Sequence, residues 1–166
     1  MDSNDEEILK SFLNLLRLRP ESALLAYFQN RVSELTNFES PSLDISCGDG
    51  MFMFLDLGGR FDKDFDYFHS VKAKDFKHSS FVDIYDYCSH DYTVPITKQP
   101  KVNIDYGTDW KQSSLDKASH LGIYKNLVLH DNNNVPLPFE NNYFKTIHSN
   151  SICWVRNSDK LAKDIY

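Results

Sequence analysis

Hydrophobic positions recur along the start of the chain with the period of a helix. Between residues 5 and 18 apolar side chains return at intervals close to 3.6, which predicts an amphipathic helix. Pro20 interrupts that pattern, and because proline fits the first turn of a helix, we expect a second helix from there to about Leu35. Residues 1–40 are therefore predicted to be a helical segment that precedes the main domain.

From residue 42 onward, short blocks of branched and apolar residues alternate with helical patterns. The first block predicts a buried strand, and the apolar helix after it ends at Gly58 and Gly59. Strands that alternate with helices imply a parallel sheet with helices on its faces, so the predicted class is α/β. The predicted strands are 42–46, 102–105, 127–130 and 146–149, and the predicted helices are 51–57, about 110–120 and one from about 157.

Residues 60–98 depart from this alternation, because they are rich in aromatic and charged side chains and show little periodicity. Long insertions in compact folds are usually functional or flexible. Two interpretations follow, a lid or acceptor pocket and an accessory packing layer. The predicted organisation is thus a domain over 41–166 with an insert at 60–98 after its first strand–helix unit.

Charge and composition exclude several classes of protein. The chain has 18 basic and 24 acidic residues, a formal charge of −6, which argues against binding nucleic acid by neutralising phosphates. No apolar run approaches the roughly 20 residues of a membrane span. The acidic start lacks the basic region of a secretory signal, and the three cysteines are widely spaced without a Cys-x-x-Cys pair. We therefore expect a cytoplasmic protein with no metal site.

A glycine-containing turn, LDISCGDG at residues 43–50, follows the first predicted strand. Its glycines permit positive φ and close approach of a ligand to the backbone, and the helix after it offers free N–H groups to an anion. An ordinary strand–helix turn would have the same features. A dinucleotide fingerprint aligned on Gly48 and Gly50 would place its third glycine at Met53, which disfavours an NAD site.

The turn resembles the first-strand motif of class I methyltransferases that depend on S-adenosylmethionine (SAM), with Ser46 where the family usually has its first glycine. Three further blocks follow in the order of that family: VNIDY at 102–106, LHDN at 129–132 and LPFENNYFKTIHSN at 137–150. The last block is similar to one in small-molecule methyltransferases of the type 11 group, and LAKDIY at 161–166 fits the helix that comes next. The resemblance covers residues 42–57 and 101–166.

The resemblance implies a Rossmann-like sheet and a set of cofactor contacts. It implies that Asp105 ends the second strand and accepts hydrogen bonds from the ribose hydroxyls, and that Asp131 reads the adenine edge. For Asp44 there are two roles, one near the methionyl amino group of SAM and one as a structural hydrogen-bond acceptor. Asp105 could instead cap a loop and Asp131 could form an Asx-turn; Cys47 is expected to be a small filler. The residues predicted to contact SAM are Asp44, Ser46, Cys47, Gly48, Gly50, Asp105, Tyr106, Asp131, Asn132 and Ser149.

The function implied is transfer of a methyl group from SAM to a small-molecule, sugar or lipid-like acceptor. His130 and His148 stand near predicted strand ends, but no catalytic residue is predicted. The chain ends where the family continues into three more strands, so we expect a truncated sheet with an exposed edge that favours self-association. The alternatives are a truncated or degenerate module that binds SAM or a partner without turnover, and a nucleotide-sugar or NAD-binding half-domain.

Overall fold

The computed structural model describes residues 3–16, 20–35, 37–65 and 93–165, which fall into two compact units. The first unit combines Met1–Asn37 with Phe52–Lys101, and the second combines Phe38–Met51 with Val102–Tyr166. Most of the predicted insert at 60–98 lies outside the described residues. No helix in the described part of the chain is long and apolar enough to cross a membrane.

The first unit contains the two N-terminal helices that the sequence predicts and a pair of short antiparallel strands. Helix α1 (Ser3–Leu15) buries Ile8, Phe12 and Leu15 on one face, as its apolar period requires. Helix α2 (Pro20–Ser33) starts at proline, as expected. The two short strands, β2 (Arg60–Phe61) and β3 (Ile96–Lys98), pair with each other.

The second unit is built on a parallel sheet of four strands. In chain order these are β1 (Ser42–Ile45), β4 (Ile104–Asp109), β5 (Tyr124–Leu129) and β6 (Thr146–His148). Their spatial order is β5-β4-β1-β6, and every neighbouring pair is parallel. The α/β prediction is confirmed at this level, and the order is consistent with a Rossmann-like sheet. The chain extends the sheet first to one side of β1 and then to the other, which makes β1 the switch point.

Two helices of this unit follow its strands: α4 (Gln112–Ser119) connects β4 to β5, and α5 (Ser158–Ile165) follows β6 after a 3₁₀ turn at Ile152–Trp154. Helix α3 (Met51–Asp56) comes after β1 in the chain, and all of it but Met51 belongs to the first unit. All four residues of β1 are buried, as expected of a central parallel strand covered on both faces.

The two faces of the sheet differ in chemistry. Leu43 and Ile45 point to one face and form an apolar cluster with Val155 and Leu161. Asp44 points to the opposite face, and on β4 the residue in register with it is Gly107. Because side chains alternate along a strand, Asp105 and Asp109 share that face with Gly107. One face is therefore an apolar core, while the other carries three carboxylates of low exposure, those of Asp44, Asp105 and Asp109.

The predicted bounds of the second strand are wrong. The strand expected at 102–105 spans Ile104–Asp109, and it continues through a glycine that looks like the start of a loop. The ring of Tyr124 explains why glycine is needed there, since a Cβ on Gly107 would stand 2.9 Å from Tyr124 Cδ1. The strand predicted at 127–130 is likewise displaced, because β5 begins at Tyr124 and ends at Leu129.

Candidate functional site

The loop after β1 has an unusual backbone. Ser46, Gly48 and Gly50 have φ values of +58°, +58° and +76°, in the left-handed region that favours glycine. The Cys47 N–H donates to the carbonyl of Thr108 at 2.8 Å, which fastens the loop to β4. The loop thus needs its two glycines for their conformation, as the sequence predicts.

Ser46 tolerates the left-handed conformation because its side chain and its carbonyl are both held. The Asn132 amide donates to Ser46 Oγ at 2.8 Å, and the Thr108 hydroxyl donates to Asn132 Oδ1 at 3.3 Å. The Ser151 hydroxyl donates to the Ser46 carbonyl at 3.1 Å. These contacts offset the cost of about 1–2 kcal/mol for a left-handed residue with a Cβ. They explain how a serine is accommodated in a left-handed conformation at this position.

The ring of a half-buried tyrosine, Tyr124, lies beneath this loop. The Tyr124 hydroxyl donates to Asp44 Oδ2 at 2.6 Å, and a Cβ on Gly50 would stand 2.8 Å from Tyr124 Cε2. Burial, and next the negative charge of Asp44, raise the pKa of Tyr124, so the hydroxyl remains a donor. The turn can lie this close to the sheet only because Gly50 and Gly107 have no side chains.

Asp44 makes structural hydrogen bonds with both of its carboxylate oxygens. Its Oδ2 accepts from Tyr124, and its Oδ1 lies 3.1 Å from His148 Nδ1. An ionised carboxylate only accepts, so Nδ1 of His148 carries the proton in this contact. Asp44 is 3% exposed, and a buried carboxylate requires such partners. The structural hydrogen bond expected as one of the two roles of Asp44 is therefore present.

Asp109, the last residue of β4, ties the glycine turn to the end of the neighbouring strand. Its Oδ2 accepts from the Gly48 N–H at 3.0 Å, and its Oδ1 accepts from the Lys111 N–H at 2.9 Å. Burial raises the pKa of Asp109, while the two backbone N–H groups oppose that shift because they favour the charged form. Two backbone donors therefore hold this carboxylate at the carboxyl end of the sheet.

A cavity of about 260 Å³ opens at the carboxyl ends of the strands. The segments after β1, β4, β5 and β6 all contribute to it, and a second cavity of about 470 Å³ shares three of its lining residues. Ligand pockets typically measure about 300–1,000 Å³, so the two cavities together offer enough room for a small ligand. The residues that line the first cavity include Ser46, Asp109, Trp110, Asp131, Asn132 and Trp154.

Asp131 lines this cavity and also forms the Asx-turn considered as its structural alternative. Its Oδ1 accepts from the Asn133 N–H at 2.9 Å and from the Asn133 side-chain amide at 2.8 Å. These two bonds lower the pKa of Asp131. The side chain remains exposed, so the turn leaves carboxylate surface accessible.

Asp105 lies away from this cavity, because it is the second residue of β4 and not its last. It accepts from the Lys125 ammonium at 2.7 Å and from the Ser42 N–H at 2.8 Å. Lys125 above all, and then the serine donors, lower the pKa of Asp105 to about 2. The prediction that Asp105 ends its strand is wrong, and the acidic residue at that position is Asp109.

Tyr106 also lies outside the cavity. Its ring packs edge-on against Phe139 and Phe144, with centroids 5.4 and 5.6 Å apart, in the apolar core of the sheet. Ser149 follows β6, and its hydroxyl accepts from the Ser151 N–H at 3.4 Å; it is not among the cavity residues.

The remaining predicted residues, Cys47, Gly48 and Gly50, shape the loop and do not line the cavity. Burial raises the pKa of the Cys47 thiol, with the charge of Asp44 adding to the effect. A half-buried thiol with a raised pKa fits the expectation of a small filler and not of a nucleophile.

Sequence reasoning missed Asp109, Trp110 and Trp154. Asp109 was detectable, because it directly precedes the predicted helix at 110–120, where a strand end is expected. Trp154 carries no sequence signal, since it lies in a 3₁₀ turn beyond the motif.

Within the described residues, no group of three histidine, cysteine, aspartate or glutamate side chains is placed to hold a metal ion. The site is thus defined by a glycine turn, two carboxylates and two tryptophans at one end of a parallel sheet. No protein-family model, curated protein or solved structure matches the chain.

Proposed function

We propose that this chain binds SAM at the carboxyl end of its parallel sheet and transfers the methyl group to a small-molecule, sugar or lipid-like acceptor. The observation that carries the proposal is the hydrogen bond from the Gly48 N–H to the Asp109 carboxylate at 3.0 Å. It joins the glycine turn of one strand to the acidic end of the next. In open α/β sheets, ligands bind in the crevice beyond the carboxyl ends, at the switch point that β1 occupies.

The residues around the cavity fit the chemistry of an adenosine group. An ionised carboxylate has about four acceptor positions, and the backbone uses one on each oxygen of Asp109, which leaves capacity for ribose hydroxyls. Trp110, which is 63% exposed, offers an aromatic face on which a purine ring can stack. The exposed carboxylate of Asp131 can accept from an exocyclic amino group.

SAM supplies the reactivity itself, because its methyl group is bound to a positively charged sulfur. The contribution expected of the chain is to bind the cofactor and to orient the acceptor. A general base is required only if the acceptor is protonated at the working pH.

The test is calorimetric titration with S-adenosylhomocysteine, the product form of the cofactor. We expect the wild type to bind and Asp109→Ala to bind roughly 10- to 100-fold more weakly, because a charge-assisted hydrogen bond is worth about 1.5–3 kcal/mol. Asp105→Ala is the matched control, since it removes a carboxylate from the same strand outside the cavity, and its affinity should equal that of the wild type. Thermal unfolding of each variant checks that the fold is retained.

The same titrations separate this proposal from its alternatives. Binding of NAD in place of S-adenosylhomocysteine would favour a dinucleotide site. An equal loss of affinity in Asp105→Ala and Asp109→Ala would contradict the assignment of Asp109. Transfer of labelled methyl from SAM to a panel of acceptors distinguishes an enzyme from a module that binds without turnover.

A further inference from the structure

Helix α2 is apolar on the side that faces solvent. Its buried residues are Ala23, Ala26 and Asn30, which are small or polar. Its large apolar side chains are exposed instead: Leu25 by 60%, Phe28 by 63%, Val32 by 66% and, just beyond the helix, Leu35 by 87%. A helix on the surface of a monomer normally shows the reverse arrangement. Contiguous apolar surface of this kind marks an interaction site.

The four exposed residues form one continuous stripe. Their spacings of three, four and three residues equal those of the a and d positions that form the seam between two packed helices. Helical hydrogen bonding continues past the end of α2, because the Glu34 N–H donates to the Asn30 carbonyl and the Leu35 N–H donates to the Val32 carbonyl, each at 3.0 Å. Leu35 therefore extends the stripe by another turn.

We propose that this stripe is the interface of a homodimer in which α2 packs antiparallel against α2 of a second copy. The spacing is the same in both chain directions, so a two-fold axis near residue 30 brings each stripe residue of one copy against a stripe residue of the other. It places Leu25 against the partner subunit's Leu35, and Phe28 against the partner subunit's Val32. Such a self-complementary surface is what a two-fold symmetric dimer requires.

The charges beside the stripe are compatible with this arrangement. Arg31 lies close to the proposed axis, where two copies of its guanidinium would approach each other. Within its own copy Arg31 pairs with Glu34 at 2.7 Å and with Asp5 at 3.4 Å, so the positive charge is already compensated. None of the four stripe positions carries a charge.

The exposed area is sufficient for a dimer that forms reversibly. Leu24, 49% exposed, adjoins the stripe. At roughly 150–200 Å² for each fully exposed large apolar residue, the five side chains offer on the order of 500–650 Å² per copy. Two copies would bury about 1,000–1,300 Å², near the lower limit of about 1,200 Å² for specific interfaces. The dimer should therefore dissociate on dilution.

The experiment is sedimentation equilibrium of the full chain across micromolar to sub-millimolar concentrations. We expect the wild type to shift from monomer mass to twice that mass, and Phe28→Lys to raise the dissociation constant by about 30-fold or more, as loss of a central anchor does. Leu129→Lys is the control: Leu129 is 55% exposed on the edge strand β5, so this variant replaces a comparably exposed apolar residue outside α2. It should dimerise like the wild type. Far-UV circular dichroism checks that both variants remain folded.

Cross-linking tests the antiparallel geometry. With the exposed Cys153 replaced by serine, a mixture of the Leu25→Cys and Leu35→Cys chains should form mixed disulfides faster than either chain forms disulfides with itself. A wild type that stays monomeric at every concentration would overturn the proposal. So would a dimer lost in Leu129→Lys and retained in Phe28→Lys, since that result would place self-association at the sheet edge.

Discussion

Replacing three glycines by alanine separates two constraints that the site places on its sequence. Gly48 has a positive φ, +58°, with no atom within 4 Å of the position that a Cβ would take. Gly107 has no positive φ, but a Cβ there would lie 2.9 Å from Tyr124 Cδ1 and 3.1 Å from Cys47 Sγ. Gly50 combines both constraints, with φ +76° and a Cβ position 2.8 Å from Tyr124 Cε2.

The expected losses in the free energy of unfolding follow from these distances. A left-handed residue with a Cβ costs about 1–2 kcal/mol, so Gly48→Ala should lose about that much. Overpacking costs about 1–3 kcal/mol, the loss expected for Gly107→Ala. Gly50→Ala should lose about 2–5 kcal/mol from the two effects together. Each loss is reduced by about 0.4–1 kcal/mol, because alanine also restricts the unfolded chain.

The clash at Gly50 is costly because the tyrosine ring is fixed at its far end. Its hydroxyl donates to the buried Asp44 at 2.6 Å, so the ring cannot swing aside without breaking that bond. Tyr124→Leu removes the Cε2 atom, so in that background Gly50→Ala should cost less; a Cβ there would still stand 3.1 Å from Leu121 Cδ1, so the cost should stay above that of Gly48→Ala. The coupling free energy in this double-mutant cycle should be about 1–3 kcal/mol.

Urea unfolding followed by far-UV circular dichroism measures all of these variants under one set of conditions. The reasoning would be refuted if Gly48→Ala cost as much as Gly50→Ala, because strain alone would then explain both. An absence of coupling between Gly50→Ala and Tyr124→Leu would show that the ring does not limit the approach of the loop.

Two further predictions concern ionisable groups. Lys125 lowers the pKa of Asp105 to about 2, so the ionised carboxylate stabilises the fold above its unfolded pKa of about 3.9, and this stability is lost as pH falls through about 2. The loss should be at most about 2 kcal/mol, because Lys125 is partly exposed and the pair is screened by solvent. It should be absent from the unfolding curves of Asp105→Asn. Burial raises the pKa of the Cys47 thiol, so iodoacetamide at about pH 8 should label the exposed Cys153 much faster than the half-buried Cys47 in the native protein, as read by peptide mass spectrometry; equal labelling rates would contradict the raised pKa.

The parallel sheet was predicted from the sequence, whereas the acidic end of its second strand was placed four residues too early. Periodicity placed a strand near residue 104, but Asp105, Gly107 and Asp109 interrupt the apolar pattern from which a strand is recognised. Each is accommodated by a partner distant in sequence: Lys125 and Ser42 bind Asp105, the Tyr124 ring covers Gly107, and the Gly48 N–H binds Asp109. Local sequence contains none of these partners, so the strand seemed to end four residues early.

Local chemistry by itself determined the helices at the start of the chain, the alternation of strands and helices, and the left-handed turn at Gly48 and Gly50. These depend on proline geometry, on apolar period and on the absence of a Cβ, which are properties of neighbouring residues. Tertiary structure decided which carboxylate meets the glycine turn, since that depends on where β4 ends beside β1. It also decided that α2 buries its alanines and exposes Phe28. Which face of a helix is buried depends on the neighbouring elements, and the periodicity of one helix does not specify them.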